Sequence, residues 1–254
     1  NSEDDGIREW GGYFEVNNTY GSVNFVDPTG IQLVPNKTII DAPASSALAY
    51  INYQYKDDDM AQIEQTKKLP VTLLQDPVYL KRLDCLTTTL PEETKTVSIY
   101  SLGERDALVW GNNKYLILAP TILLKKGTTS ENLSTELLNH RLTLYYLSAE
   151  GDEDANTLKL YLRYEISGIG GSSTEETDDK ESWASDYNVR YTNVSHVNLQ
   201  PIISMYKSTH SGSDPEKVTV EYEYNNSTSS IPTIAKKQTK TVTYNLYTET
   251  SSNN

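Results

Sequence analysis

Between Leu158 and Ile166 the chain alternates without a break. Leu158, Leu160, Leu162, Tyr164 and Ile166 fall on one side; Lys159, Tyr161, Arg163 and Glu165 fall on the other. A period of two marks a strand with one face in a core and the other in water. Upstream, Arg141-Leu-Thr-Leu-Tyr-Tyr-Leu147 reads as a second strand, and Gly151-Asp-Glu-Asp-Ala-Asn156 between them as an acidic turn. The two runs are expected to pair as a hairpin. Alternation fixes a fold class and names no chemistry.

The pattern recurs along the chain. Short runs at Trp10–Val16, Ser22–Val26, Ile31–Val34, Ala47–Tyr55 and Val71–Leu74, with weaker alternation over Ala61–Leu69, are punctuated by turns such as Asp27-Pro-Thr-Gly30. About five short strands joined by turns suit an OB-like β-barrel. The second half has longer runs: Val97–Leu102, a hairpin of Asp106–Trp110 with Lys114–Ala119, then Tyr187–Thr192, His196–Leu199 and Pro201–Tyr206. In the closing pair, Lys217–Tyr224 and Lys240–Tyr247, Val218, Val220, Tyr222 and Tyr224 share a face matched by Val242, Tyr244 and Leu246. Such strands predict an antiparallel β-sandwich. One short helix is expected over Ser130–Leu138, with Ser130 as its cap and Leu133, Leu137 and Leu138 on one face. The reading is all-β: a flexible N-terminal tether over 1–9, an OB-like β-barrel over 10–92 and a β-sandwich over 93–254, with Thr87–Thr94 as the linker.

Charge and composition narrow the function. With 35 acidic against 22 basic residues, the net charge of -13 repels phosphate backbones and anionic membranes. No nucleic-acid partner is expected. Tyrosine outnumbers phenylalanine by 19 to 2, which suits strand surfaces with one wet end. The single cysteine, Cys85, permits no internal disulfide and reads as a small buried residue rather than a nucleophile. The longest apolar run, Tyr115–Leu124, contains Pro120 and is too short to span a bilayer. The acidic opening Asn1–Gly6, without a methionine, fits a processed export substrate.

His140, His196 and His210 lie too far apart for zinc-ligand spacing and read as surface or strand residues. Gly168-Ile-Gly-Gly-Ser172 follows a strand with no helix pattern behind it, so it reads as a turn rather than a phosphate loop. The acidic runs Asp57–Asp59, Asp152–Asp154 and Glu175–Asp179 read as solvated loops and offer no way to choose a glycosidase pair. Asp152, Asp154 and Asn156 alternate like the start of a calcium loop, but Thr157 stands where glycine is needed and Arg163 where a bidentate acid is needed. Tyr161, Tyr247 and Trp183 remain as aromatics that could stack on a sugar or a protein partner, or simply anchor a sheet face or a loop. No catalytic, cofactor-binding or metal-ligating residue is assigned, no cofactor is expected and the ligand-binding residues are unknown.

The order of features carries a resemblance. Ser2-Glu-Asp-Asp-Gly6, Trp10-Gly-Gly-Tyr-Phe-Glu-Val16, Asp27-Pro-Thr-Gly-Ile-Gln-Leu-Val-Pro35, Leu48-Ala-Tyr-Ile-Asn-Tyr53, Val71-Thr-Leu-Leu-Gln-Asp-Pro-Val-Tyr79 and Asp106-Ala-Leu-Val-Trp-Gly-Asn-Asn-Lys-Tyr-Leu-Ile-Leu118 follow one another before a paired hairpin. This resembles the NigD-like family of Bacteroidetes lipoproteins, through loose patterns spread over nearly the whole chain. The loop Gly168–Ser185 and the tail beyond Tyr247 depart from it. The resemblance implies an OB-like barrel before a β-sandwich, export, and a lipid anchor on a cysteine preceding the mature chain. Ser2-Glu-Asp-Asp5 resembles the signal that sends such lipoproteins to the cell surface. The expected function is an outer-membrane, surface-exposed lipoprotein ectodomain that is not an enzyme and binds a protein or glycan, with membrane contact only through the anchor. The alternatives are a structural subunit of a fimbria-like surface assembly and a glycan-degrading hydrolase or its accessory.

Overall fold

A computed structural model describes residues 4–19, 22–43, 48–103, 107–147, 156–171, 182–227 and 231–248. Two compact units divide the chain, Asn1–Arg82 and Leu83–Asn254. The stretch Thr87–Thr94 read as a linker falls within the second unit.

In the first unit, β1 (Ile7–Thr19), β2 (Ser22–Val26), β3 (Gln32–Pro35), β4 (Leu48–Lys56) and β5 (Lys68–Leu73) form a closed barrel in the order β1-β2-β3-β5-β4-β1. Closure depends on the length of β1. Its first part pairs with β4, from Ile7↔Lys56 to Glu15↔Leu48, and its last part pairs with β2. The β3–β5 pairing is parallel. This is the OB-like barrel expected from the strand count. Phe14, Val16, Phe25, Leu33, Ile51, Leu69 and Val71 fill it. Gly11 has a steric role: a Cβ there would stand 2.7 Å from the Tyr50 hydroxyl and closer still to Asn52 Oδ1. The weak alternation over Ala61–Leu69 is overturned. Asp57–Gln62 is a 3₁₀ turn leading into α1 (Ile63–Thr66), because between Gln62 and Lys68 Ile63 is the one apolar residue and sets no strand face. The short strands β6 (Val78–Tyr79) and β7 (Lys81–Arg82) end the unit.

The second unit contains β8 (Asp84–Leu86), β9 (Ala107–Trp110), β10 (Tyr115–Leu118), β11 (Thr121–Lys125), α2 (Leu133–Leu137), β12 (His140–Tyr145), β13 (Thr157–Ile166), β14 (Tyr187–Thr192), β15 (Ser195–Asn198), α3 (Gln200–Thr209), β16 (Lys217–Asn225) and β17 (Lys237–Asn245). Its long sheet runs β17-β16-β13-β12-β8. The hairpin predicted from alternation is present, from His140↔Ile166 to Tyr145↔Tyr161. The closing pair is also present, with Val218 opposite Tyr244 and Val220 opposite Val242. The sheet is mixed, since β8–β12 and β13–β16 pair in parallel. Its apolar face, with Leu142, Leu144, Leu158, Leu160, Leu162 and Val220, shares one core with Leu116, Leu118, Ile122 and Leu124 of β10 and β11.

Two local expectations are corrected. Pro201–Tyr206, expected as a strand, lies in α3. Pro201 preorganises its first turn, and Ile202 and Tyr206 fall one turn apart in the core. The short helix α2 is present, but Ser130 does not cap it. Leu133 and Leu137 pack on the core while Leu138 is 84% exposed.

A third difference shapes the site. Val97–Leu102 forms isolated bridges rather than a regular strand. The β13–β16 pairing runs to Leu162↔Tyr222; beyond it the Val97–Ile99 segment lies between their ends. Val97 N–H donates to Tyr164 O at 2.9 Å, and Ile99 N–H to Glu223 O at 3.0 Å. Each neighbour is thus held for only a residue or two.

Candidate functional site

The polar side of β13 was expected to face water. Instead Tyr161 and Arg163 are buried. Arg163 donates to Glu221 Oε2 at 2.8 Å and lies 3.7 Å from Glu223 Oε1. Lys237 pairs with Glu223 at 3.0 Å and donates to Glu93 O, Thr96 O and Thr96 Oγ1 at 2.6, 2.9 and 2.7 Å. Burial pulls the Lys237 ammonium below its ordinary value, and Glu223 pushes back. Tyr161 lies between two cations, its ring centre 4.9 Å from Lys159 Nζ and 5.5 Å from the Arg163 guanidinium. These carboxylates are bound to cations, and the network ties the Glu93–Ile99 segment to the sheet. The reason is topological: β16 brings Glu221 and Glu223 beside β13, and the inserted segment brings carbonyls to Lys237.

The other aromatics separate. Trp183 is half-buried, edge-on to Tyr187 at 5.8 Å, and packs on the core. Tyr247 is 44% exposed, with its backbone clasped by the Asn113 amide at 2.7 and 2.8 Å. Neither stands with Tyr161 in a common platform.

A different set of tyrosines shares an opening. Where Val97–Ile99 enters the sheet, the chain continues into one wall of a cleft of about 300 Å³, formed by Tyr100–Gly103. Tyr222, Tyr224, Asn226 and Lys240 stand along the rest of it. Tyr222 and Tyr224 have ring centres 6.3 Å apart, and Lys240 Nζ lies 4.4 Å from the centre of the Tyr224 ring. The Tyr224 hydroxyl donates to Gln238 Oε1 at 3.1 Å. On a Tyr100 ring face rests the Arg190 guanidinium, 4.5 Å from its centre. Among the described residues no carboxylate lines this cleft. Sequence reading missed it because Tyr222 and Tyr224 follow the apolar alternation of β16; only the Asn225-Asn226 pair behind them hinted at a strand end. A second cleft of about 410 Å³ lies beside Lys95, Leu138, Arg141 and Ile169, but there Arg141 is closed by Glu165 at 2.7 Å.

The remaining candidates are dispersed. His140, read as a surface or strand residue, opens β12 with its side chain buried between Glu136 and Tyr164. His196 is buried edge-on to Tyr115, and His210 stacks on Tyr206 at 3.8 Å. Among the described residues no group of three or more His, Cys, Asp or Glu side chains could hold a metal. Burial pushes the Cys85 thiol up to about 11, far from a thiolate near neutrality. Asp152–Asp154 and Glu175–Asp179 lie outside the described residues. Asn156 O instead accepts from Glu216 N–H at 2.8 Å, and Arg163, at the expected acid position of the calcium pattern, is held by Glu221. Gly168, Gly170 and Gly171 adopt positive φ, as a turn requires.

No protein-family model matches the sequence, and no curated protein does. Solved structures do. A lipoprotein candidate from Bacteroides fragilis NCTC 9343 is 22% identical over 95% of this chain and 99% of its own, with a TM-score of 0.70. An uncharacterised protein from Parabacteroides merdae ATCC 43184 is 15% identical over 94% of this chain and 100% of its own, with a TM-score of 0.55. A NigD-like immunity protein from Bacteroides caccae ATCC 43185 is 11% identical over 90% of this chain and 92% of its own, at 0.46. With the first two of these Bacteroidetes proteins the chain shares its all-β fold, a closed five-strand barrel followed by sandwich-like sheets.

Proposed function

We propose that the chain is the ectodomain of an outer-membrane lipoprotein, displayed at the cell surface, that binds a glycan or protein partner without catalysis. The observation that carries this reading is the tyrosine-lined cleft at the end of β16. It offers aromatic rings, amides and a lysine, and no carboxylate among its described lining residues. The neighbouring Glu221 and Glu223 are engaged by Arg163 and Lys237, which suits a structural role. The lipoprotein candidate of the same fold supports the envelope assignment. A NigD-like membership is part of this proposal and rests on the order of sequence motifs.

The test is a glycan array and an affinity capture with the purified chain, repeated with Tyr224→Ala. Retention of a glycan or one defined protein, lost in the variant, supports the reading. Hydrolysis of a retained glycan, or binding indifferent to Tyr224, would sink it.

A further inference from the structure

The cleft differs in charge from the rest of the protein. The chain carries 35 acidic residues and a net charge of -13, yet no acid is among the described residues that line this opening. Two exposed cations stand on its tyrosines, Lys240 on Tyr224 and Arg190 on Tyr100. Neither has a carboxylate partner among the described residues. A ring face holds a cation loosely, through its quadrupole, and leaves the N–H groups free to meet an acceptor. An ammonium held this way is already positioned, so an incoming carboxylate need not order a free lysine chain.

Resting on the reading of this cleft as a binding site, we propose that its ligand is an acidic glycan: a sugar segment whose ring stacks on Tyr224 and whose carboxylate reaches Lys240. Three features favour a sugar over an acidic peptide. Tyrosine rings match the apolar face of a pyranose. Ser101 and Asn226 offer both donors and acceptors, as hydroxyl groups require. The volume of about 300 Å³ is small and suits a short sugar segment. The overall negative charge does not forbid an anionic ligand. Screening in physiological salt confines each charge to roughly 8 Å, so Lys240 dominates among the described residues that line the cleft.

The experiment uses the whole chain and three probes: an oligogalacturonate, the same oligomer with its carboxyls reduced to alcohols, and poly-L-glutamate. Titration calorimetry should show binding of the oligogalacturonate, weakened about tenfold by Lys240→Gln and by carboxyl reduction, the loss of one charge-assisted contact. Tyr224→Phe, which keeps the ring, should bind far better than Tyr224→Leu. Equal binding of both oligomers, unchanged in Lys240→Gln, overturns the acidic assignment and leaves the glycan-binding cleft standing. Binding of poly-L-glutamate alone overturns the glycan assignment in favour of an acidic polypeptide. Binding of none of the three overturns this proposal, and the array and capture experiment decides separately whether the cleft binds anything else.

Discussion

The phenol of Tyr164 and the imidazole of His140 lie 2.5 Å apart, oxygen to Nδ1, with their rings nearly parallel. The other ring nitrogen, Nε2, lies 2.7 Å from Glu136 Oε1, and the imidazole is 1% exposed. An ionised carboxylate can only accept, so Nε2 donates to Glu136, and Nδ1 shares the second hydrogen bond with the Tyr164 phenol. Glu136 Oε1 also accepts from Lys125 N–H at 3.3 Å. One buried chain of hydrogen bonds therefore joins α2, β11, β12 and β13.

Tyr164→Phe removes the hydroxyl and strands Nδ1 without its partner in a dry site. The expected cost is about 1–3 kcal/mol, the penalty of an unpaired buried polar group. Urea unfolding followed by near-UV circular dichroism measures it. An unchanged midpoint would show that the chain of bonds contributes nothing net.

The ionic network makes a second prediction. Lys237→Met leaves Glu223 with only the more distant Arg163 and strips a donor from the Thr96 carbonyl. Breaking one side of a buried pair costs about 3–5 kcal/mol. The double variant Lys237→Met with Glu223→Gln should recover part of that loss, because the orphaned charge is gone. A double variant less stable than the sum of the singles would refute this coupling.

Alkaline pH should destabilise the fold. Burial, with smaller contributions from Tyr187 and Glu136, holds the Tyr164 phenol well above its ordinary value. In the barrel, burial first and then Tyr55 and Asp27 raise Tyr53 from 10.0 to about 12. A raised folded value means that the native state keeps the proton after the unfolded chain has lost it. The stabilisation is complete below the unfolded value of 10.0 and falls away as pH rises through about 12 for Tyr53. Denaturant midpoints measured across this window should fall, and Tyr164→Phe should flatten the fall for the second unit.

Adjacent glycines should respond unequally. Gly170 has φ +98°, and a Cβ there would stand 2.7 Å from Thr94 O and 2.9 Å from Lys95 Cα. Gly171 has φ +74° with open space around it. Gly171→Ala should cost only the left-handed conformation, about 1 kcal/mol, whereas Gly170→Ala adds displaced backbone and should cost about 2–3 kcal/mol. Thermal unfolding of the two variants compares them directly, and equal costs would contradict the close approach of the Thr94–Lys95 backbone.

Local pattern was enough for several parts of this protein. The alternation from Leu158 to Ile166 fixed a strand, its neighbour from Arg141 fixed the hairpin, and the spacing of Val218, Val220, Val242 and Tyr244 fixed the closing pair. These pairings join segments of matching period over short connections, so the sequence displays both partners. Where period was ambiguous, it failed: Ile202-Ile203 and Met205-Tyr206 fit a strand or a helix until the core selected the helix.

What tertiary structure alone decided is the fate of the polar face and the position of the cleft. Arg163 reads as a solvated residue until β16, 58 positions away, brings Glu221 beside it. Lys237 meets Thr96 across 141 positions. Tyr100 joins Tyr222 and Tyr224 because the Val97–Ile99 segment lies between the ends of β13 and β16. Periodicity reports which way a side chain points along its own strand. It carries no information on which distant segment will lie against that face, and here that contact turned a wet surface into a buried ionic network with a tyrosine cleft beside it.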